Sequence, residues 1–122
     1  MITGIDGSWV QNIDGKLTFS GALIECYDEC SKFWRKERTQ LKYAKDYNDK
    51  ILPNLPGKNT KLLEDYTKED YEETIQAIAA QGRGTGSEFV PYADSTIQHF
   101  RHLIDVVVVA ASNRGLCDNV LW

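Results

Sequence analysis

The sequence lacks an apolar run long enough to cross a bilayer. Its longest, Val106–Ala111, has six residues and directly follows Asp105, whereas a membrane-spanning helix needs about 20. The N-terminus has no basic segment followed by an apolar stretch, which a secretory signal would show. The cysteines number only three, and an odd number cannot all pair within one chain, so they do not indicate a disulfide framework. We therefore expect a cytoplasmic protein with free thiols and no membrane contact.

Motifs for cofactors and metals are also missing. The glycine-rich segment at 81–87 lacks the Gly-Lys-Ser/Thr ending of a phosphate-binding loop, so it predicts a connection only. Four side chains could ligate zinc if two helices brought them together: Cys26, Cys30, His99 and His102. The cysteines fall on an apolar stripe and the histidines fall off theirs. The sequence therefore predicts no cofactor and no metal.

Apolar residues recur at helical spacing in four segments, and no segment alternates as a half-buried strand does. The pattern predicts helices at about 19–35, from Thr39 until Pro53 and the segment 54–57 stop it, from Thr67, and from about Asp94 to Asn113. Thr39 is the expected N-cap of the second helix, and Thr67 is expected to begin a capping box with Asp70. We expect one face of the second helix to be buried through the following residues: Leu41, Ala44, Tyr47 and Ile51.

These segments predict an all-α protein, a small bundle of four helices. Residues 1–17 are rich in glycine and have no periodicity, which predicts an extended N-terminal linker. Residues 18–122 then form one helical domain. At the end of the last helix, Gly115 is suited to the left-handed C′ position.

Charge is unevenly distributed along this acidic chain, whose net charge is −4. Residues 31–50 carry seven basic and three acidic side chains, whereas residues 64–73 carry six acids and one lysine. Arg38, Lys42 and Lys45 are four and three residues apart and so project from one side of the second helix, where they could neutralise successive phosphates. The alternative is a solvated face with internal pairing of Lys42 with Asp46 or of Lys45 with Asp49.

Two valines of the last helix, Val106 and Val109, fall on its polar side. They are either two isolated exposed valines, which is common, or part of a surface that meets thymine methyl groups or another protein domain.

The order of several short motifs resembles a known family. Thr18-Phe19 opens a helix that ends in aromatic and basic residues, and the second helix closes with an Ile-Leu-Pro turn at 51–57. A Leu-x-x-Tyr-Thr-x-x-Asp stretch at 63–70 opens the third helix. The fourth begins Ser-Thr-Ile at 95–97 and ends Ala-Ala-Ser-Asn-Arg-Gly-Leu at 110–116. Over residues 17–121 this resembles the N-terminal core-binding, SAM-like domain of phage-type integrases, the tyrosine site-specific recombinases.

The resemblance implies an orthogonal bundle of four or five helices that binds DNA and forms half of a clamp around a recombination core site, in the integration or excision of a mobile element. The implied protein is encoded by a bacterium or phage. Its partners are double-stranded DNA, a C-terminal catalytic domain of the same polypeptide and other protomers of a recombination synapse. The cleaving tyrosine belongs to that catalytic domain, so the resemblance implies no enzymatic activity for this chain.

In the family the second and fourth helices face DNA. Carried onto this sequence, the expected DNA-binding residues are Lys36, Arg38, Thr39, Lys42, Lys45, Gln98, Arg101 and His102. The alternative function is a helical protein–protein interaction or regulatory domain that uses the same uneven distribution of charge.

Overall fold

The computed structural model describes residues 5, 8–34, 36–82 and 89–121, and over these the protein is mostly helical with a short two-stranded sheet. The all-α expectation therefore holds apart from that sheet. The strands are β1 (Asn12–Ile13) and β2 (Lys16–Leu17). The helices are α1 (Phe19–Glu25), α2 (Tyr27–Cys30), α3 (Glu37–Asp46), α4 (Leu52–Asn54), α5 (Lys68–Gln81) and α6 (Asp94–Asn113).

The β1–β2 hairpin corrects the expectation of an extended linker over its described part. Asn12 pairs with Leu17 and Ile13 with Lys16 in an antiparallel ladder. Asp14 and Gly15 connect the strands with φ angles of 52° and 82°. Asp-Gly is a strong signal for such a two-residue turn, and the sequence prediction overlooked it. Residues 1–4, 6 and 7 of the expected linker lie outside the described residues, and the boundary at residue 18 stays a prediction.

The segment before the hairpin is held against α1 by a buried polar cluster. The carbonyl oxygen of Val10 accepts hydrogen bonds from Ser20 Oγ at 3.1 Å and from Asn59 Nδ2 at 3.0 Å. The Asn59 side chain also accepts from the backbone N–H of Ser20 at 2.9 Å. Asn59 is fully buried and has a φ of 66°, a conformation that asparagine tolerates better than most residues. This one amide therefore joins the N-terminal segment, α1 and the turn after α4.

The first predicted helix is divided rather than continuous to residue 35. Cys26 separates α1 from α2, and a 3₁₀ turn at Ser31–Phe33 follows. The Cys26 N–H still donates to Ala22 O at 2.8 Å, so the chain bends there without losing its hydrogen bond. The expected buried positions Leu23, Cys26 and Cys30 are all buried. Arg35, at the expected end, lies outside the described residues.

The second helix begins two residues earlier than predicted. It starts at Glu37 after the N-cap Lys36, so Thr39 lies in its first turn and does not cap it. The helix continues through a π-helical turn, Tyr47–Ile51, into α4, so Pro53 lies inside α4 and does not stop the helix. It ends one residue later, at Asn54, within the segment that was expected to end it. Leu41 was expected in the core but is 44% exposed. Helical geometry places it about 120° around the axis from Tyr47, outside the buried face.

Helices α5 and α6 confirm the predictions made from their ends. Thr67 Oγ1 accepts from the Asp70 N–H at 3.2 Å, while the Asp70 carboxylate accepts from the Thr67 N–H at 2.9 Å. At the end of α6, Gly115 has a φ of 73°, and the Leu116 N–H donates to Ala111 O at 3.0 Å. This is the paired hydrogen bonding of a glycine C-cap.

The core lies where α6 packs against α1, α2, the π-helical turn and α5. Aromatic rings fill its centre, among them Phe19, Trp34, Tyr47 and Tyr71, all buried. Most of the glycine-rich connection, residues 83–88, lies outside the described residues. None of the described helices is long and apolar enough to cross a membrane.

We predict that Gly21→Ala destabilises the protein by roughly 1–3 kcal/mol, the usual cost of overpacking. A Cβ at this helical position would overlap the carbonyl oxygen of Gln11 and lie 3.0 Å from the carbonyl carbon. Alanine normally stabilises a helix interior by about 0.5–1 kcal/mol relative to glycine, so the contact reverses the sign. Urea unfolding measures the change.

The matched control is Gly115→Ala, where no heavy atom lies within 4 Å of the added Cβ and only the positive φ is strained. We expect it to lose less stability than Gly21→Ala. A Gly21→Ala variant as stable as the parent would show that the Gln11 backbone does not pack on α1.

Candidate nucleic-acid interface

Three cations project into solvent from one side of α3. Arg38, Lys42 and Lys45 are exposed, whereas Ala44 and Tyr47 on the opposite side are buried. We call these three residues the α3 basic face. The exposed Leu41 lies among them at helical spacing, so the face combines positive charge with one apolar side chain.

The internal pairing considered from sequence does not occur. No oxygen of Asp46 lies within 4 Å of Lys42 Nζ, and none of Asp49 lies within 4 Å of Lys45 Nζ. Asp46 instead contacts His99 of α6, with 3.0 Å between Oδ2 and Nε2. Among the described residues, the three cations of the α3 basic face have no hydrogen-bond or salt-bridge partner. Their charges are therefore available to an anionic ligand.

The other two residues predicted on this helix lie at its start. Lys36, the N-cap, is exposed, and Thr39 is half-buried. Lys36 is a further exposed cation at the start of α3, but two residues of helical spacing place it on another side from Arg38, and the exposed acid Glu37 lies between them.

Helix α3 is fixed against α6 by a buried hydrogen bond and by the contact of Asp46 with His99. Tyr47 Oη donates to Leu103 O at 2.7 Å, and the hydroxyl is buried enough that its pKa is raised well above the usual value. The His99 ring that contacts Asp46 also packs on Tyr43, with 4.9 Å between ring centroids. These contacts set the direction in which the α3 basic face points.

The residues predicted on α6 divide between two sides of the helix. Gln98 and His102 are exposed, but Arg101 makes a bidentate salt bridge with Glu72 of α5, at 3.0 and 3.3 Å. Positions 99 and 101 lie about 160° apart around the helix, so Arg101 points towards α5 while His99 points towards α3. The structure therefore does not bring Arg101 to the same surface as the α3 basic face. The excess of acids at the start of α5 was the sequence signal for this pairing.

A groove of about 370 Å³ separates α2 from α6. Its floor contains the two valines noted in the sequence: Val106, half-buried, and Val109, 39% exposed. Lys32 and His102 lie at its edge. We call it the α2–α6 groove. The two valines thus share one concave surface, rather than being isolated on a polar face.

The four candidate zinc ligands lie in different environments. Cys26 and Cys30 are buried in the core, and burial raises the pKa of Cys30 to about 12, so this thiol stays protonated. His99 is engaged with Asp46, and His102 lies at the groove. Within the described part of the chain, no three His, Cys, Asp or Glu side chains are placed to hold a metal ion.

Comparison of the chain with the models of known protein families, with curated proteins and with solved structures finds no match.

We predict that Tyr47→Phe lowers the free energy of unfolding by about 1 kcal/mol, the usual net value of one hydrogen bond. The ring and its packing are kept, and only the hydroxyl that bonds to Leu103 O is lost. Chemical denaturation measures the loss. The control is Tyr27→Phe, because the half-buried Tyr27 hydroxyl has no hydrogen-bond partner among the described residues. Equal effects of the two substitutions would contradict the role given to Tyr47.

Proposed function

We propose that this chain is a DNA-binding domain, the SAM-like core-binding domain of a tyrosine recombinase that clamps the recombination core site. The observation that carries the proposal is the unpaired α3 basic face. Phosphate contacts supply most of the affinity of such domains for DNA and need cations that are exposed and free. Arg38, Lys42 and Lys45 meet both requirements, and Lys36 is a further exposed cation at the start of α3.

The net negative charge of the chain does not oppose this function. Three acids of the 64–73 segment are engaged by cations within the protein: Glu64 by Lys16 at 2.7 Å, Asp70 by Lys61 at 2.9 Å, and Glu72 by Arg101 at 3.0 Å. Exposed charges are screened beyond about 8–10 Å at physiological salt. The potential at the α3 basic face therefore depends on its own neighbourhood rather than on the sum over the chain.

In this proposal the α3 basic face contacts the phosphate backbone, and the half-buried Thr39 and the exposed Gln98 are the candidates for base edges. Arg101 contributes only if a phosphate replaces Glu72 as its partner. The assigned activity is binding and positioning of DNA, without cleavage.

A second candidate function is a helical protein-interaction domain. The α2–α6 groove favours it, because a concave surface with an apolar floor suits a protein side chain. The two functions use different surfaces, so variants of one surface test one function at a time.

Replacing both Lys42 and Lys45 with alanine should weaken binding to every duplex sequence by roughly tenfold or more at low salt, and reduce the slope of log affinity against log salt by about 2. The reason is the loss of two phosphate contacts without loss of a base contact. Titration of labelled duplex DNA by fluorescence anisotropy at about 50 and 200 mM salt measures both quantities.

The matched control replaces Lys58 and Lys68, two exposed lysines on other elements, with alanine. It changes the net charge equally and should leave the salt slope unaltered. If the two double variants bind equally, or the parent protein does not bind DNA at either salt concentration, α3 is not a DNA-binding surface.

A further inference from the structure

The α2–α6 groove has an apolar floor that extends along one side of α6. Val106, Val109 and Ala110 form this floor, and Asn113 closes one end. From position 102 to 113 the helix rises about 16 Å, which is long enough for four or five residues of an extended peptide. The groove is therefore of the size that takes one or two aliphatic side chains of a short segment.

The charged groups at the edge of the groove are not equally available. Glu29 accepts two hydrogen bonds from Arg114, at 2.8 and 2.7 Å, and the same guanidinium holds Glu25 O at 2.9 Å. Asp105 is not free either. Lys32 and His102, in contrast, have no hydrogen-bond or salt-bridge partner among the described residues. The groove therefore presents the Lys32 ammonium group, whose charge also acts on Glu29 without a salt bridge, and the His102 imidazole beside its apolar lining.

We propose that the α2–α6 groove binds a short peptide segment of a partner protein in which an aliphatic side chain lies next to a carboxylate. The aliphatic group packs on Val106 and Val109, and the carboxylate accepts hydrogen bonds from Lys32 and His102. This pairing of an apolar anchor with a charge-assisted hydrogen bond is a usual basis of peptide specificity. The proposal does not depend on DNA binding by the α3 basic face.

Concavity favours a peptide over duplex DNA as the occupant. A helix enters the major groove of DNA with a convex surface, whereas Val106 and Ala110 line a concave surface together with Glu29 of α2. A protruding leucine reaches this floor more readily than a thymine methyl group, which is recessed within the duplex.

The test is an NMR titration of the whole chain, with labelled valine methyl groups, against three capped peptides. These are Ser-Asp-Asp-Leu-Leu-Ser, Ser-Lys-Lys-Leu-Leu-Ser and Ser-Asp-Asp-Ser-Ser-Ser. We expect the first to shift the Val106 and Val109 methyl signals saturably. The lysine peptide should bind at least tenfold more weakly, and the serine peptide should not saturate. Lys32→Glu should reverse the preference between acidic and basic peptides, and Val109→Asp should abolish binding.

Lys68→Glu is the control, because it makes the same charge change at an exposed lysine of α5. It should keep the preference for the acidic peptide. The proposal is overturned if no peptide gives saturable shifts, if acidic and basic leucine peptides bind equally, or if duplex DNA shifts the two methyl signals more than the peptide does. DNA binding by Val109→Asp is measured separately. If it is retained, the result for the α2–α6 groove is independent of whether the α3 basic face binds DNA.

Discussion

The attachment of α3 to α6 is the constraint on which the proposed interface depends. α3 is a ten-residue helix whose exposed side chains are three cations, Leu41 and one acid, Glu37, so its burial comes from one narrow face. Tyr47 supplies most of that attachment, because its ring is enclosed in the core and its hydroxyl bonds to the backbone of α6. Asp46 adds the contact with His99. A helix held in this way keeps its cations at fixed positions, which lowers the entropic cost of contacting successive phosphates.

The same contact explains why the cations of α3 remain free. Asp46 is one turn after Lys42 and would be its natural intrahelical partner. The carboxylate is instead directed towards α6, where it meets His99 at the edge of an aromatic cluster with Tyr43. On the other side of the molecule, α5 contributes the acid that engages Arg101. The packing of the bundle thus leaves the cations of the α3 basic face without a partner among the described residues and pairs Arg101 with Glu72. The linear sequence places acids close to both.

Local signals of the sequence predicted the ends of α5 and α6 well, because Thr67, Asp70 and Gly115 act on backbone groups within four residues of themselves. Features that depend on distant partners were missed. Leu41 is outside the core because Trp34 and Tyr43 determine which side of α3 is buried, and the Arg101–Glu72 pair joins two separate helices. The candidate cations of α3 could be identified from helical spacing alone. That Asp46 does not pair with Lys42 could not be predicted in this way, since it depends on where His99 lies.

The two proposed surfaces share α6 but use different halves of it. The first half lies near α3 through His99, and the second half forms the groove with α2, where Cys30 Sγ lies 3.8 Å from Val106 O. His102 stands between them, both a predicted DNA contact and a side chain at the groove edge. A substitution at His102 therefore affects both surfaces and distinguishes neither. Lys45 and Val109 each belong to one surface only, and the two functions are separable because the fold keeps these side chains on different elements.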